Sequence, residues 1–256
     1  MPSFIDEIFE RLPAVQYSIH IDPEAAVVPL RDALDRIFEE QPVSVTNALP
    51  DQTSDIVVVR NGEVVANSSA EELLRAVLLI NSDVYISGSR SLTETEFPDV
   101  LRALEETRFR LRGYPESDSQ KLLFITVSRA IEQLAYERGA GTLRVGFQSF
   151  SRLADEPGTY RVYERLSNAE LDVHAYGAES EPPPSEFDFT FHTGTSRLYR
   201  RCWFVVFRPL SPGSRSSGLF AIERGPNEWE GFWTFRRRRV EKIDRGIEEA
   251  TAKRTR

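Results

Sequence analysis

Apolar and polar positions change period several times along this chain, and each change marks an element. The longest helical pattern starts at Ser117, after which Leu123, Val127, Ala130, Ile131 and Leu134 recur at helical spacing. Ser117 stands three residues before Gln120 and just after Pro115, the arrangement of a capping box, while Arg138 and Gly139 close the helix. An arginine in the last turn suits the helix dipole, and a glycine after it enters the left-handed conformation without strain. Leu143, Val145 and Phe147 then alternate with polar or small residues from Thr142 to Gln148, which predicts a strand with one buried face. Thr159 to Leu166 predicts a short helix, with Val162 and Leu166 inward and Asn168 as its stop. Leu171, Val173 and Ala175 alternate in the next strand, so His174 and Tyr176 share its opposite face.

Upstream, element types alternate: a strand near Val15 to Ile21, a helix from about Glu24 to Glu40, and a strand at Val43 to Thr46. Ile56 to Val59 and Val64 to Ala66 flank Asn61-Gly62, a hairpin signal because the favoured turn needs positive φ at both positions. Ser68 or Ser69 caps a following helix filled by Leu73, Leu74, Val77, Leu78 and Ile80, and a strand opens at Val84 to Ile86. Val100 to Leu104 adds a short helix and Phe109 to Leu111 a strand. Gly113 to Ser117 interrupts the pattern, which divides the chain into an N-terminal α/β region (1–113) and a C-terminal domain (117–250). Dense apolar content on both sides of that seam predicts that the halves pack together.

Downstream, AESEPPPSE is a polar loop stiffened by three prolines. Phe187, Phe189 and Phe191 alternate in a strand, Trp203 to Phe207 is continuously apolar and reads as a central strand, and Leu219 to Ile222 is a further one. Trp229, Gly231, Trp233 and Phe235 share one face of the last strand. Val240, Ile243 and Ile247 mark a closing helix from about Arg237. At the start, Phe4, Ile5, Ile8, Phe9 and Leu12 form one amphipathic face whose acidic neighbours Asp6, Glu7 and Glu10 disfavour anionic lipid and favour docking on the protein itself.

Composition narrows the function classes. With 256 residues, 40% hydrophobic and 28% charged, the chain has a globular composition, and its net charge of -8 argues against general affinity for nucleic acid. Lys121, Lys242 and Lys253 are the only lysines among 32 basic residues, a balance typical of salt-loaded cytosols and also of GC-rich genomes. Cys202 is the single cysteine, so no intrachain disulfide or cysteine-rich zinc site exists. No basic leader with a long apolar core opens the chain, and no stretch reaches the roughly 20 apolar residues that span a bilayer, so a cytoplasmic location is expected.

The strings GTLRVGFQSFSRL, TYRVYERL and LDVHAYG resemble the DICT domain, a sensory module named for diguanylate cyclases and two-component systems. The resemblance covers about residues 117 to 250, and RFRLRGYPES, WFVVFRP and WEGFWTF resemble its forms in salt-adapted archaea. It implies a role in signal input, light-responsive signalling included, and brings no established catalytic residue or ligand. The expected fold is mixed α/β (α+β): an N-terminal α/β unit packed on a C-terminal sheet flanked by helices. That sheet is similar to the small-ligand sensor sandwiches of the GAF and PAS type, an analogy of fold alone.

Candidate chemistry is sparse. His20, His174 and His192 lie one per predicted strand, and a site needs two of them to converge with carboxylates. Aromatic residues at strand and helix spacing belong more often to a core than to a ligand. The residues singled out for ligand binding are nevertheless Phe147, Arg152, Tyr163, His174, Tyr176, His192 and Trp229. Cys202 beside Trp203 invites a reactive-thiol reading, yet its strand predicts burial. Arg236 to Arg239 is the one basic run, whose charge Glu228 or Glu230 is placed to offset. GAGT and SGSRS lack the glycine spacing of a phosphate loop.

Three functions follow in order. The first is a non-catalytic sensory protein that binds a small-molecule ligand or a signalling partner and forms a homodimer, for which the helix at Ser117 is the first interface candidate. The second is an enzyme assembled around His174, His192 and Arg152, and the third a transcription-linked regulator using the arginine-rich terminal helix. The sequence names no particular cofactor, and no membrane contact is expected.

Overall fold

A computed structural model of the chain describes residues 4–23, 28–46, 54–76, 97–113, 120–179, 184–211 and 213–252. The helix α1 (Phe4–Glu10) precedes a four-stranded sheet built from β1 (Tyr17–Ile21), β2 (Val43–Thr46), β3 (Ile56–Arg60) and β4 (Glu63–Ser68) in the order β2-β1-β3-β4. β1 and β2 are parallel and are joined through α2 (Val28–Phe38), while β3 and β4 form the hairpin expected from Asn61-Gly62, with φ of 54° and 85° at those residues. A third helix, α3, is described over 70–76. Ser69 caps it: its hydroxyl accepts from the Glu72 amide at 3.1 Å and the Glu72 carboxylate accepts from the Ser69 amide at 2.9 Å. Ser68 instead accepts from the amide of Val100 in α4 (Asp99–Ala103). Val77, Leu78, Ile80 and the strand expected at Val84 to Ile86 lie outside the described residues, as does the Ser117 cap.

The larger sheet has seven strands, β5 (Phe109–Arg112), β6 (Ala140–Gln148), β7 (Glu170–Ala178), β8 (Thr190–Gly194), β9 (Cys202–Pro209), β10 (Ser217–Gly225) and β11 (Glu228–Thr234), ordered β5-β11-β10-β9-β6-β7-β8. β6, β7 and β8 are parallel neighbours and the remaining pairs are antiparallel. One face is covered by α5 (Gln120–Arg138), α6 (Ser151–Asp155) and α7 (Pro157–Ser167), the other by α8 (Arg197–Arg201), α9 (Arg237–Ala252) and α1. The chain is therefore mixed α/β: an N-terminal four-stranded sheet with helices and a C-terminal seven-stranded mixed sheet with flanking helices.

α5 joins the two parts. Leu123, Phe124, Val127 and Ile131 are at most 2% exposed because the helix lies against the large sheet and also meets α2 and α7. Exposed positions occur at its last turn, Tyr136 to Arg138, and Gly139 ends it with φ of 66°. Gln41 seals β5 by accepting from the Arg110 amide at 3.0 Å and donating to the Arg110 carbonyl at 2.7 Å, as a neighbouring strand would. Gln120 donates to Glu39 and accepts from the amide of Arg112. One hydrophobic core runs through both sheets.

Four local expectations change. β6 is buried on both faces, since it lies between β9 and β7 and its polar position Arg144 is only 5% exposed. β8 starts at Thr190, so Phe187 and Phe189 precede it; they stack on each other at 5.1 Å and bury against Tyr160 and Tyr163 without ladder pairing. α8 had no periodic signal because it is a single helical turn. Arg236 and Arg239 pair with Glu105 and Glu106, not with Glu228 or Glu230, because the turn after α4 lies against the end of β11. Glu230 pairs with Arg108 and Arg224.

Candidate functional site

Alternation along β7 and β8 places His174, Tyr176 and His192 on the α8/α9 side of the sheet. The parallel register sets Tyr176 opposite His192, and the rings stack at 4.4 Å with an interplanar angle of 11°. His174 lies 5.2 Å from His192, at 17°. Nδ1 of His174 is 2.9 Å from Nε2 of His192, and Nε2 of His174 is 2.9 Å from Oδ2 of Asp172. With Asp172 accepting the Nε2 proton, a neutral His174 keeps Nδ1 as an acceptor, and His192 donates to it through Nε2. His174 and His192 are half-buried at the sheet edge, whereas Tyr176 is fully buried beneath α8.

Inward from the edge the network turns ionic. The Tyr176 hydroxyl accepts from Nη1 of Arg144 at 2.8 Å, and Nε of Arg144 donates to Oδ1 of Asp244 at 2.6 Å. The other Asp244 oxygen accepts from Arg208 at 2.6 Å, and Arg144 also reaches Glu248 at 2.9 Å. Asp244 stands on the apolar stripe of α9 between Val240, Ile243 and Ile247, all of them buried. Burial is the main cause that pushes the Tyr176 hydroxyl up to about 12, outweighing the pull of Arg144. Burial, followed by His174 and Arg144, takes His192 down to about 4, so its ring is neutral near neutral pH. Cys202 is fully buried on the same face and its thiol is pushed up to about 12, which leaves an inert thiol.

The other singled-out residues do not join this cluster. Phe147 and Tyr163 meet edge to face at 5.0 Å under α7 on the opposite side of the sheet, and the Tyr163 hydroxyl donates to buried Glu132 at 2.7 Å. Trp229 is buried beside Trp203 beneath the first turn of α5, and Arg152 stands in α6, on that same side of the sheet. His20 is in the small sheet. Sequence reasoning thus found the edge but missed Arg144, Asp172, Asp244, Glu248 and Arg208. Two of these left a trace: an arginine in a strand bounded by apolar neighbours, and an aspartate inside the apolar stripe of the last helix. Among the described residues no group of three or more histidine, cysteine or acidic side chains could hold a metal ion, and no helix is long and apolar enough to cross a membrane.

Residues 99–223 match the family model DICT, described as a sensory domain in diguanylate cyclases and two-component systems. The chain carries a DICT domain. That domain runs from α4 into β10 and includes Arg144, His174, Tyr176 and His192, whereas Asp244 and Glu248 lie beyond the matched span. No curated protein and no solved structure matches the chain significantly. The DICT match implies a sensory role in signalling.

Proposed function

We propose that this chain is a non-catalytic sensory and regulatory protein of two-component or cyclic-dinucleotide signalling, in which a small ligand or a signalling partner binds at the β7–β8 edge and alters the seating of α9. The observation that carries this reading is the unbroken chain of contacts from His174 through His192, Tyr176 and Arg144 to Asp244, which leads from the sheet edge of the DICT domain to a helix outside it. A ligand acts only through a difference in its affinity for two arrangements, and this chain gives edge and helix a shared one. Hydrogen exchange of the α9 amides tests it, measured with small-molecule fractions, with protein fractions and in light against darkness. Changed protection in one of these conditions is expected. Protection unchanged in all of them would overturn the reading. Native mass spectra and an absorbance spectrum of the purified protein separate ligand, chromophore and partner.

The approach of two histidines to 2.9 Å with a carboxylate behind one of them favours a second reading, an enzyme using the pair for proton transfer. Arg152 takes no part in it, being on the α5 side. Conversion of a bound small molecule, abolished in H174Q, would put that reading first. The transcription-linked alternative has weaker support, since Arg236, Arg237 and Arg239 each pair with a carboxylate, of Glu105, Glu106 or Glu241, which offsets the charge that the run would offer to phosphate.

A further inference from the structure

The face of the large sheet opposite α5 also carries α1, which reaches both α8 and α9 and buries Ile5, Ile8 and Phe9 there. The floor beneath it is aromatic: Phe9 meets Phe220 and Phe232 edge to face at 6.3 and 5.6 Å, and Phe4 meets Phe220 at 6.1 Å. The rim is basic. The guanidinium groups of Arg108 and Arg224 stand 5.6 and 5.5 Å from the ring centre of Phe9, and both pair with buried Glu230. Arg197 of α8 and Lys242 of α9 face the acids of α1, and Arg239 donates to the Arg11 carbonyl at 2.8 Å. In a chain of net charge -8, five cations thus border one apolar strip.

α1 matches this groove in kind but satisfies its rim incompletely. Asp6 is 3.9 Å from Arg197 and 3.7 Å from Arg224, and Glu7 is 3.8 Å from Lys242. All three contacts are longer than a hydrogen bond. The Lys242 ammonium is shut off from solvent and has no hydrogen-bond partner among the described residues, so its desolvation is only partly offset. A cation in this state favours an occupant that brings a carboxylate into hydrogen-bond range. The α1 of a second copy carries the same acids at the same spacing, and it gains nothing over the resident helix, which its tether to β1 keeps at high local concentration. A different acidic helix gains the missing bond.

We propose that this groove is the docking site for an acidic amphipathic helix of a signalling partner, and that α1 is the strap that fills it in the unpartnered chain. The groove does not depend on the β7–β8 edge, and its failure would leave that reading untouched. The test titrates the full chain into a dye-labelled synthetic peptide of residues 1–14 and reads fluorescence anisotropy. I8D sets a carboxylate against the apolar floor and ejects α1, while every residue of the groove itself is kept. Saturable binding to I8D is expected, about tenfold or more tighter than to the wild type, in which the tethered helix competes. A peptide carrying D6N and E7Q should bind I8D about fivefold more weakly, the scale of three partly exposed ion pairs. In the wild type, amides of α1 should exchange through local opening, faster than those of α9, and faster still as sodium chloride screens the rim. A folded I8D that binds no peptide, or α1 amides that exchange only with global unfolding, would overturn the assignment. So would a wild-type dimer in native mass spectra that I8D abolishes, since it would make the second copy's α1 the occupant.

Discussion

Replacing His192 by Phe isolates the one titration that the edge network imposes on stability. The Phe ring can keep the stack on Tyr176, where His192 now lies at 4.4 Å, but it carries no proton. In the folded protein the His192 pKa is depressed from 6.5 to about 4, so at any pH between these values the unfolded chain binds more protons than the folded one. Stability from the neutral ring is fully present above about pH 6.5 and is lost progressively as pH falls through about 4. The full depression corresponds to roughly 3 kcal/mol, at about 1.4 kcal/mol for each pH unit, and half-burial with solvent screening reduces this to about 1–2 kcal/mol.

Urea unfolding of the wild type and H192F at pH 7 and at pH 4.5 measures the difference, with acid effects from carboxylates common to both chains. The wild type should lose about 1–2 kcal/mol more than H192F across that interval. Proton NMR of the imidazole Cε1 protons, which are few in a chain with three histidines, reads the midpoint directly. H174Q should raise the His192 midpoint without restoring 6.5, because burial is the larger cause and His174 the second. An ordinary His192 midpoint, or equal acid losses in the two chains, would refute the reasoning.

Other variants test the remaining links. R144M leaves the buried Asp244 with Arg208 alone and should cost about 3 kcal/mol in urea unfolding, the lower part of the range for a broken buried pair; a loss below about 1 kcal/mol would mean that the pair is solvated. G246A puts a methyl group where the Phe4 ring packs on α9, so amides of α1 should lose hydrogen-exchange protection while those of α9 keep it, despite a gain of about 1 kcal/mol in helix propensity. Cys202 should react with a maleimide only at the rate of global unfolding, since it is fully buried and its thiol is held near 12; fast labelling of the native chain would show that α8 opens locally.

The fold was legible wherever a period ran long enough to survive its surroundings. The helix ending at Gly139, the Asn61-Gly62 hairpin, the apolar β9 and the stripe Val240, Ile243 and Ile247 all carry local signals that the tertiary structure then uses. α8 was not legible, because five residues give a helix no period to show. Nor was the start of β8, since the Phe187, Phe189 and Phe191 alternation also serves residues that bury without pairing. The candidate site was half legible. Alternation put His174 and Tyr176 on one face, but only the parallel register of β7 and β8 brings His192 onto Tyr176, and pairing over that distance has no local code. Acidic partners of the arginines were misassigned for the same reason: Glu105 and Glu106 are more than 100 residues from Arg236 and Arg239 in sequence.

The two faces of the large sheet solve different problems. The α5 face is sealed by an apolar core that continues into the small sheet, which makes the two halves one packed body. On the other face a buried ionic group is embedded under α9, although well-packed apolar residues in its place would often be equally stable or more so. What the ions supply is position. A helix held by Val240, Ile243 and Ile247 alone could find a second seat one turn away, whereas Asp244 between Arg144 and Arg208 has a single seat in which both carboxylate oxygens are satisfied. Because Arg144 also donates to Tyr176, whose ring carries His192, that seat shares a residue with the sheet edge. On the proposed reading, a change of charge or packing at His174 and His192 acts on the group that fixes α9, while a comparable change in the apolar core beneath α5 would reach it only by weakening the whole fold.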